Sequence, residues 1–243
     1  MRKLFFFTLF GVSACQRSAA PEAGKSGTTQ AGSAAPASAP SEAPNAPKAI
    51  GTTFSFDADP AGGPPNGFVF GRTGGGLAGR WVVQADGSAK SAPNVLAQLD
   101  ADATNFRFPV AVTAQPQPAN VAVSVNCKMI SGQIDQACGL ILRYRDENNY
   151  LITRANALED NVRLYTVKDG ERDELASHDV DVTPGTWHAY RFEAQGDRLR
   201  VFWDGALVIE QRDKTFAGAG AVGVWTKADS VTSFDNFFVE PLR

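Results

Sequence analysis

VAVSVNCKMI, residues 121–130, and CGLILRY, residues 138–144, decide the fold class of this chain. In the first run Val121, Val123, Val125, Cys127 and Met129 fall on one face, and in the second Cys138, Leu140, Leu142 and Tyr144 do. A period of two marks a strand with one buried face, because successive side chains leave a pleated backbone in opposite directions. Working outward, similar short runs recur with no long helical periodicity. They are WVVQA from Trp81, VLAQL from Val95, GLILRYR from Gly139, YLITRA from Tyr150, NVRLYTVK from Asn161 and WHAYRFEAQ from Trp187. RLRVFWD from Arg198, ALVIEQ from Ala206, GAVGVWT from Gly220 and SFDNFFVE from Ser233 complete the set. In RLRVFWD the core residues Leu199, Val201 and Trp203 alternate with Arg198, Arg200 and Phe202; in NVRLYTVK the second face carries Arg163 and Tyr165. Asp86-Gly87, Asp169-Gly170 and Asp204-Gly205 read as hairpin turns, since glycine accepts the positive φ such turns need. Many strands at this spacing, without crossover helices, define an all-β antiparallel sandwich of the jelly-roll kind.

The two cysteines lie on the apolar faces of strands joined by SGQIDQA. If those strands pair as a hairpin, Cys127 and Cys138 lie opposite each other within bridging distance. The alternative is two unpaired buried thiols.

The chain opens MRKLFFFTLFGVSAC. Arg2 and Lys3 form a positive n-region, and residues 4–10 an apolar stretch too short to cross a bilayer. Val12-Ser13-Ala14-Cys15 resembles a lipobox, which implies lipidation of Cys15 after removal of the preceding peptide; the alternative is a secretory leader cleaved after Ala14. More than one acyl chain makes such anchoring stable. Gln16 resembles the address of outer-membrane lipoproteins, so the expectation is an outer-membrane lipoprotein facing the periplasm or the surface. Residues 16–49, rich in Ala, Pro, Ser and Gly with no aromatic residue, form a tether that cannot bury enough apolar surface to order itself. Its end-to-end distance is on the order of 30 Å. Residues 50–243, roughly 190 of them, suffice for one full core. Net charge is −3 with both signs interspersed, which argues against nucleic acid or an anionic membrane surface as the main partner and leaves the lipid anchor as the membrane contact. An exported protein also meets the oxidising conditions in which cysteines pair.

The stretch GQIDQACGLILRYRDENNYLITRANALEDNVRLYTVKDGERDELAS, followed by GTWHAYRFEAQGDRLRVFWDGALVIEQRDKTFAGAGAVGVWTKADSVTSFDNFFVE, resembles the concanavalin A-like, laminin-G-like jelly rolls. It is most similar to their bacterial branch of 3-keto-disaccharide hydrolase-like domains, over roughly Trp81 to Glu240. The resemblance implies a glycan-binding module, a glycoside-cleaving enzyme or a structural module, because one fold serves many functions.

Catalytic signals are thin. Glycoside hydrolysis needs two carboxylates placed across the scissile bond, and the E-x-D-x-x-E run of laminarinase-type jelly rolls is absent. Asp179 with Asp181, and Glu159 with Asp160, are the nearest acid pairs, each more simply explained as solvent-facing charge. His188 reads as a hydrogen-bonded sheet histidine and His178 as exposed; neither sits in a zinc-binding motif. Gly74-Gly75-Gly76 lacks the lysine and hydroxyl of a phosphate loop and reads as a turn. A structural calcium is the one cofactor the carboxylates suggest: Asp57 and Asp59 would approach Asp235 if first and last strands lie side by side. Recognition of a glycan or other envelope component fits better. Arg143, Arg154 and Arg163 come from consecutive strands with Tyr150, Asn156, Asn161 and Tyr165 close by, and Trp225 and Lys227 are expected to join them on a concave sheet.

Overall fold

The computed structural model describes residues 51–243, so the leader, Cys15 and the tether over residues 16–49 lie outside the described residues. Fifteen strands and no helix occur among the described residues. They are β1 (Thr52–Phe54), β2 (Phe68–Gly74), β3 (Trp81–Ala85), β4 (Asn94–Gln98), β5 (Arg107–Thr113), β6 (Val121–Ser131), β7 (Ala137–Asp146) and β8 (Asn149–Asn156). Then follow β9 (Asn161–Lys168), β10 (Glu171–Asp179), β11 (His188–Gln195), β12 (Arg198–Trp203), β13 (Ala206–Arg212), β14 (Ala221–Trp225) and β15 (Val231–Pro241). The first sheet runs β13-β12-β11-β6-β15-β4-β3, with β1 also paired to β15; the second runs β10-β9-β8-β7-β14-β5-β2. Every pairing is antiparallel, as the alternation requires.

Strands β1, β2, β5 and β10 fall outside the alternating runs. β5, RFPVAVT, is buried along its whole length, so no polar face marks it. β10, ERDELASHD, is a sheet edge whose charges meet water, which suits an edge and hides a strand. Two of the three expected hairpin turns are present: Asp169 and Gly170 have φ of 53° and 83°, and Asp204 and Gly205 of 47° and 83°. Asp86-Gly87 instead opens a longer loop between β3 and β4. The Asp86 carboxylate accepts hydrogen bonds from the Ser88 amide and hydroxyl at 2.8 and 2.7 Å and pairs with Lys128 at 2.6 Å.

The hairpin expected between β6 and β7 does not form. β6 pairs with β11 and β15 in the first sheet, and β7 with β8 and β14 in the second. Cys127 and Cys138 nevertheless form a disulfide, with Cα atoms 6.6 Å apart, and it staples the two sheets through the core. Both residues are fully buried among the apolar side chains between the sheets. At one end of that core Phe54, Phe68 and Phe237 pack ring against ring at 5.1 to 6.1 Å.

The second sheet curls. Four strand spacings separate β8 from β2, about 19 Å if flat, yet the hydroxyls of Thr73 and Tyr150 share a hydrogen bond of 2.7 Å. Arg172 on β10 lies with its guanidinium carbon 4.9 Å from the ring centre of Phe108 on β5, five spacings away. The outer face of this sheet is therefore concave and closes over a second, smaller core. That core holds Phe108, Val110, Ile141, Tyr150, Ile152, Tyr165 and Trp225. Glycine makes the curl sterically feasible: a Cβ at Gly139 would stand 2.9 Å from Ile152 and 3.0 Å from the Trp225 ring.

Replacing Cys127 and Cys138 together by serine should lower stability by about 3 kcal/mol, since the bridge constrains the unfolded chain. Denaturant unfolding of oxidised, reduced and variant protein measures this, and reduction should add the mass of two hydrogen atoms.

Candidate functional site

The open end of the concave face collects most of the polar groups foreseen from the sequence. Its foundation is Asp229, whose carboxylate accepts hydrogen bonds from the backbone amides of Gln133, Ile134 and Asp135 at 2.7, 3.0 and 2.9 Å. Burial raises the Asp229 pKa, but these donors more than offset it and hold the carboxyl below its ordinary value. The Ser230 hydroxyl accepts from the Ala137 amide at 3.0 Å. Together they shape the β6–β7 connection and present Asp135, which pairs with Lys227 and accepts from the Asn156 side chain at 2.5 Å.

The β8–β9 turn supplies the other half. Arg154 donates to Asn161 at 2.5 Å and to Glu159 at 2.7 Å, and its Nε is buried with no hydrogen-bond partner among the described residues. Arg163 reaches Glu159 at 3.4 Å and Glu174 at 3.2 Å. The amide of Asn156, bonded to Asp135, also donates to Glu159 at 3.1 Å. One side-chain nitrogen thus ties the two carboxylates together. Burial raises the pKa of Glu159, but Arg154 and Arg163 outweigh it, so the carboxyl lies below the usual glutamate range.

The structure brings Tyr150, Arg154, Asn156, Asn161, Arg163, Tyr165 and Trp225 onto one face, with Lys227 at its rim, and separates Arg143 from them. Arg143 has φ of 53° at a bulge in β7. Its guanidinium donates to the carbonyls of Ala119, Gly196 and Phe216 at the opposite end of the sheet. Burial is deeper than expected for contact residues. Tyr150 and Trp225 are fully buried in the small core, and Tyr165 nearly so. The Tyr150 hydroxyl is accordingly pushed up to about 12, chiefly by desolvation. Glu159, Arg163 and Glu174 carry the accessible charge, with side chains 35, 33 and 40% exposed. Sequence reasoning missed Asp135, Phe108 and Arg172, which sit in a connection, an unrecognised buried strand and an unrecognised edge strand.

The other candidates resolve separately. Asp57 and Asp235 do approach each other, since Ser91 donates to both at 2.6 Å. Asp59 turns instead to Asn66, at 2.5 Å, and no group of three or more potential metal-binding side chains occurs among the described residues. Asp160 faces away from Glu159, accepting from the Val182 amide at 3.1 Å. His188 is buried, with Nδ1 2.8 Å from Asp204 and Nε2 3.0 Å from the Thr183 carbonyl; His178, Asp179 and Asp181 are exposed.

Two antiparallel sheets, one curled around a second, outer core with a polar end, define a concanavalin A-like jelly roll. The model of the 3-keto-alpha-glucoside-1,2-lyase-like domain matches residues 66–240, and the chain belongs to that family. Among solved structures it is similar to the carbohydrate-binding module CBM66 from Bacillus subtilis, with 18% identity and a TM-score of 0.56 over 72% of this chain and 95% of that one. Cip1, a cellulose-induced protein, gives 11% identity and a TM-score of 0.55 over 79% of this chain and 98% of its own. Levanase of Bacillus subtilis (strain 168) is 26% identical over 93 residues, which make up 38% of this chain and 13% of that enzyme. These likenesses carry the fold.

Two substitutions separate floor from rim. Trp225→Ala should cost about 3–5 kcal/mol, as a buried core aromatic does. Glu159→Gln should lower the melting temperature far less, because the pair it breaks is partly solvated. The folded-state pKa of Glu159 is lowered. Its contribution is therefore complete above the ordinary glutamate value and disappears as pH falls through the folded one. Melting curves of wild type and Glu159→Gln should accordingly converge in acid.

Proposed function

We propose that the domain binds carbohydrate without cleaving it, at the polar end of the curled sheet, and that a lipid on Cys15 and the tether of residues 16–49 hold it at the outer membrane. The observation that carries this reading is the arrangement on one concave face. A rim of carboxylate, amide and guanidinium groups stands over the buried rings of Phe108, Tyr165 and Trp225, and the exposed ring of Phe106 packs against Phe108 at 6.4 Å as the open apolar platform. Sugars present apolar C–H faces and hydroxyls that both donate and accept, so a site for them combines an apolar platform with convergent polar groups. The carbohydrate-binding module among the structural relatives supports the same reading. Glu159 argues against turnover by acid catalysis: a general acid needs a raised pKa, and this carboxyl is held low by two arginines.

A second reading rests on Asp135 and Glu159. Bonded to one amide nitrogen at 2.5 and 3.1 Å, they stand about as close as, or closer than, the ~5–5.5 Å of a retaining glycosidase pair. The family description names a lyase. On this reading the pair acts on a glycoside.

A glycan panel assayed for both binding and product release tests the two. Binding without product, weakened about tenfold or more by Arg163→Ala through loss of a charged hydrogen bond, is the expected result. Product formation abolished by Glu159→Gln or Asp135→Asn would replace the first reading with the second. For the anchor, Cys15→Ser should move the protein from the membrane fraction to the soluble periplasm; unchanged membrane association would overturn that part.

A further inference from the structure

We infer that the concave face takes an acidic sugar, whose carboxylate or sulfate group is held by the guanidinium of Arg172. The inference rests on the carbohydrate-binding reading and names the class of glycan.

The argument starts from charge pairing. On this face Arg154, Arg163 and Lys227 pair with the carboxylates of Asp135, Glu159 and Glu174. Each carboxylate is engaged: Asp135 with Lys227, Glu159 with Arg154 and Arg163, and Glu174 with Arg163. Arg172 takes part in none of these pairs. Its guanidinium lies between two aromatic faces, 4.3 Å from the Tyr165 ring centre and 4.9 Å from that of Phe108. Its Nη1 is buried with no hydrogen-bond partner among the described residues.

Cation–π contact stabilises a guanidinium over a ring but satisfies none of its N–H donors, which lie in the guanidinium plane. A buried donor without an acceptor is costly, and a partly desolvated charge without a counter-ion more so. Burial accordingly holds the Arg172 pKa below its ordinary value. An anion arriving in the plane of the fork would supply both acceptor and counter-charge in one contact, in the geometry that carboxylate and sulfate oxygens present.

The location directs the group to a sugar. Phe108, on which Arg172 rests, stacks on Trp225 at 5.2 Å with an interplanar angle of 20°. Phe106, on the other side of Phe108 at 6.4 Å, is 64% exposed and has φ of 54°. A bulky residue held in the left-handed region is strained, and strain of this kind concentrates at ligand sites. Phe106 thus offers an open aromatic face beside the buried cation, where a pyranose ring stacks while its acidic substituent reaches Arg172. The chain as a whole is acidic, at −3, yet Arg172 has no carboxylate partner among the described residues.

The test is calorimetric titration of the full chain with three trimers of one backbone: trigalacturonate, sulfated galactotriose and neutral galactotriose. At least one acidic trimer should bind about tenfold or more tightly than the neutral one, the gain expected of a charged bidentate hydrogen bond; which one wins identifies the anion. Arg172→Met, which keeps an apolar cover on the rings, should erase that preference, bringing acidic and neutral trimers to within about twofold of each other. Arg172→Lys should keep part of it, since a point charge lacks the fork. Melting curves establish that both variants fold, and Arg172→Lys carries the test if Arg172→Met does not. Equal binding of acidic and neutral trimers, or a preference unchanged in a folded variant, overturns the assignment and leaves carbohydrate binding standing. Failure of all three trimers and of the wider glycan panel removes both.

Discussion

The contact between Thr73 and Tyr150, whose hydroxyls meet across three intervening strands, marks the curvature of the second sheet. It requires the second sheet to bend until strands far apart in the sheet order face each other, and the space so enclosed must be filled. Aromatic and branched side chains fill it from five strands. A jelly roll of two flat layers would need one core; this one has two, on opposite sides of the same sheet. The residues of that sheet are consequently buried on both faces through most of β5, β7, β8 and β14. That burial explains why a solvent-side face reads as hydrophobic.

Rigidity at the two ends of the curl comes from arginines used as backbone ligands. Arg107, fully buried, donates to the carbonyls of Leu77 and Ala228 at 2.7 and 2.5 Å and pairs with Asp100 at 3.3 Å. Arg143 does the same at the other end with three loop carbonyls. Each fixes connections that have no regular structure of their own. The polar end near Arg107 carries the rim of Asp135, Glu159 and Arg163, and Asp229 gives it a preorganised loop.

Much of this was legible in the sequence, and the failures have physical causes. Alternation located the strands with one polar face and assigned Arg163, Tyr165 and Cys138 to their sides, but it grouped Tyr144 with Cys138, whereas the β7 bulge turns Tyr144 onto the outer core beside Tyr150. It was silent for β5, which has no polar face, and for β10, which has no apolar run. Period two also names a face without naming a neighbour, so Cys127 and Cys138 were placed on the right sides of strands assigned to the wrong pairing. Arg143 should lie on the concave face by parity; the left-handed residue at its own position rotates it away. The curl depends on small residues such as Gly139 and on contacts many strands apart, which no local pattern encodes. Hence the floor of the site looked accessible in sequence and is buried in fact. Arg172 escaped notice because a lone arginine in a charged run carries no distinguishing pattern.

The link between Cys127 and Cys138 has a meaning beyond stability. It joins the later half of β6 in one sheet to the start of β7 in the other, the two strands that carry the chain across. Both thiols must point inward for it to close. A slip of one residue in either strand would turn that cysteine away from the core between the sheets and carry every side chain of the strand to the wrong face. Oxidation therefore acts as a checkpoint on register: the covalent bond closes for the correctly threaded chain and fails for its nearest misfolded competitor. In a domain whose second sheet must meet itself across three intervening strands, an error at that crossing would displace every later contact.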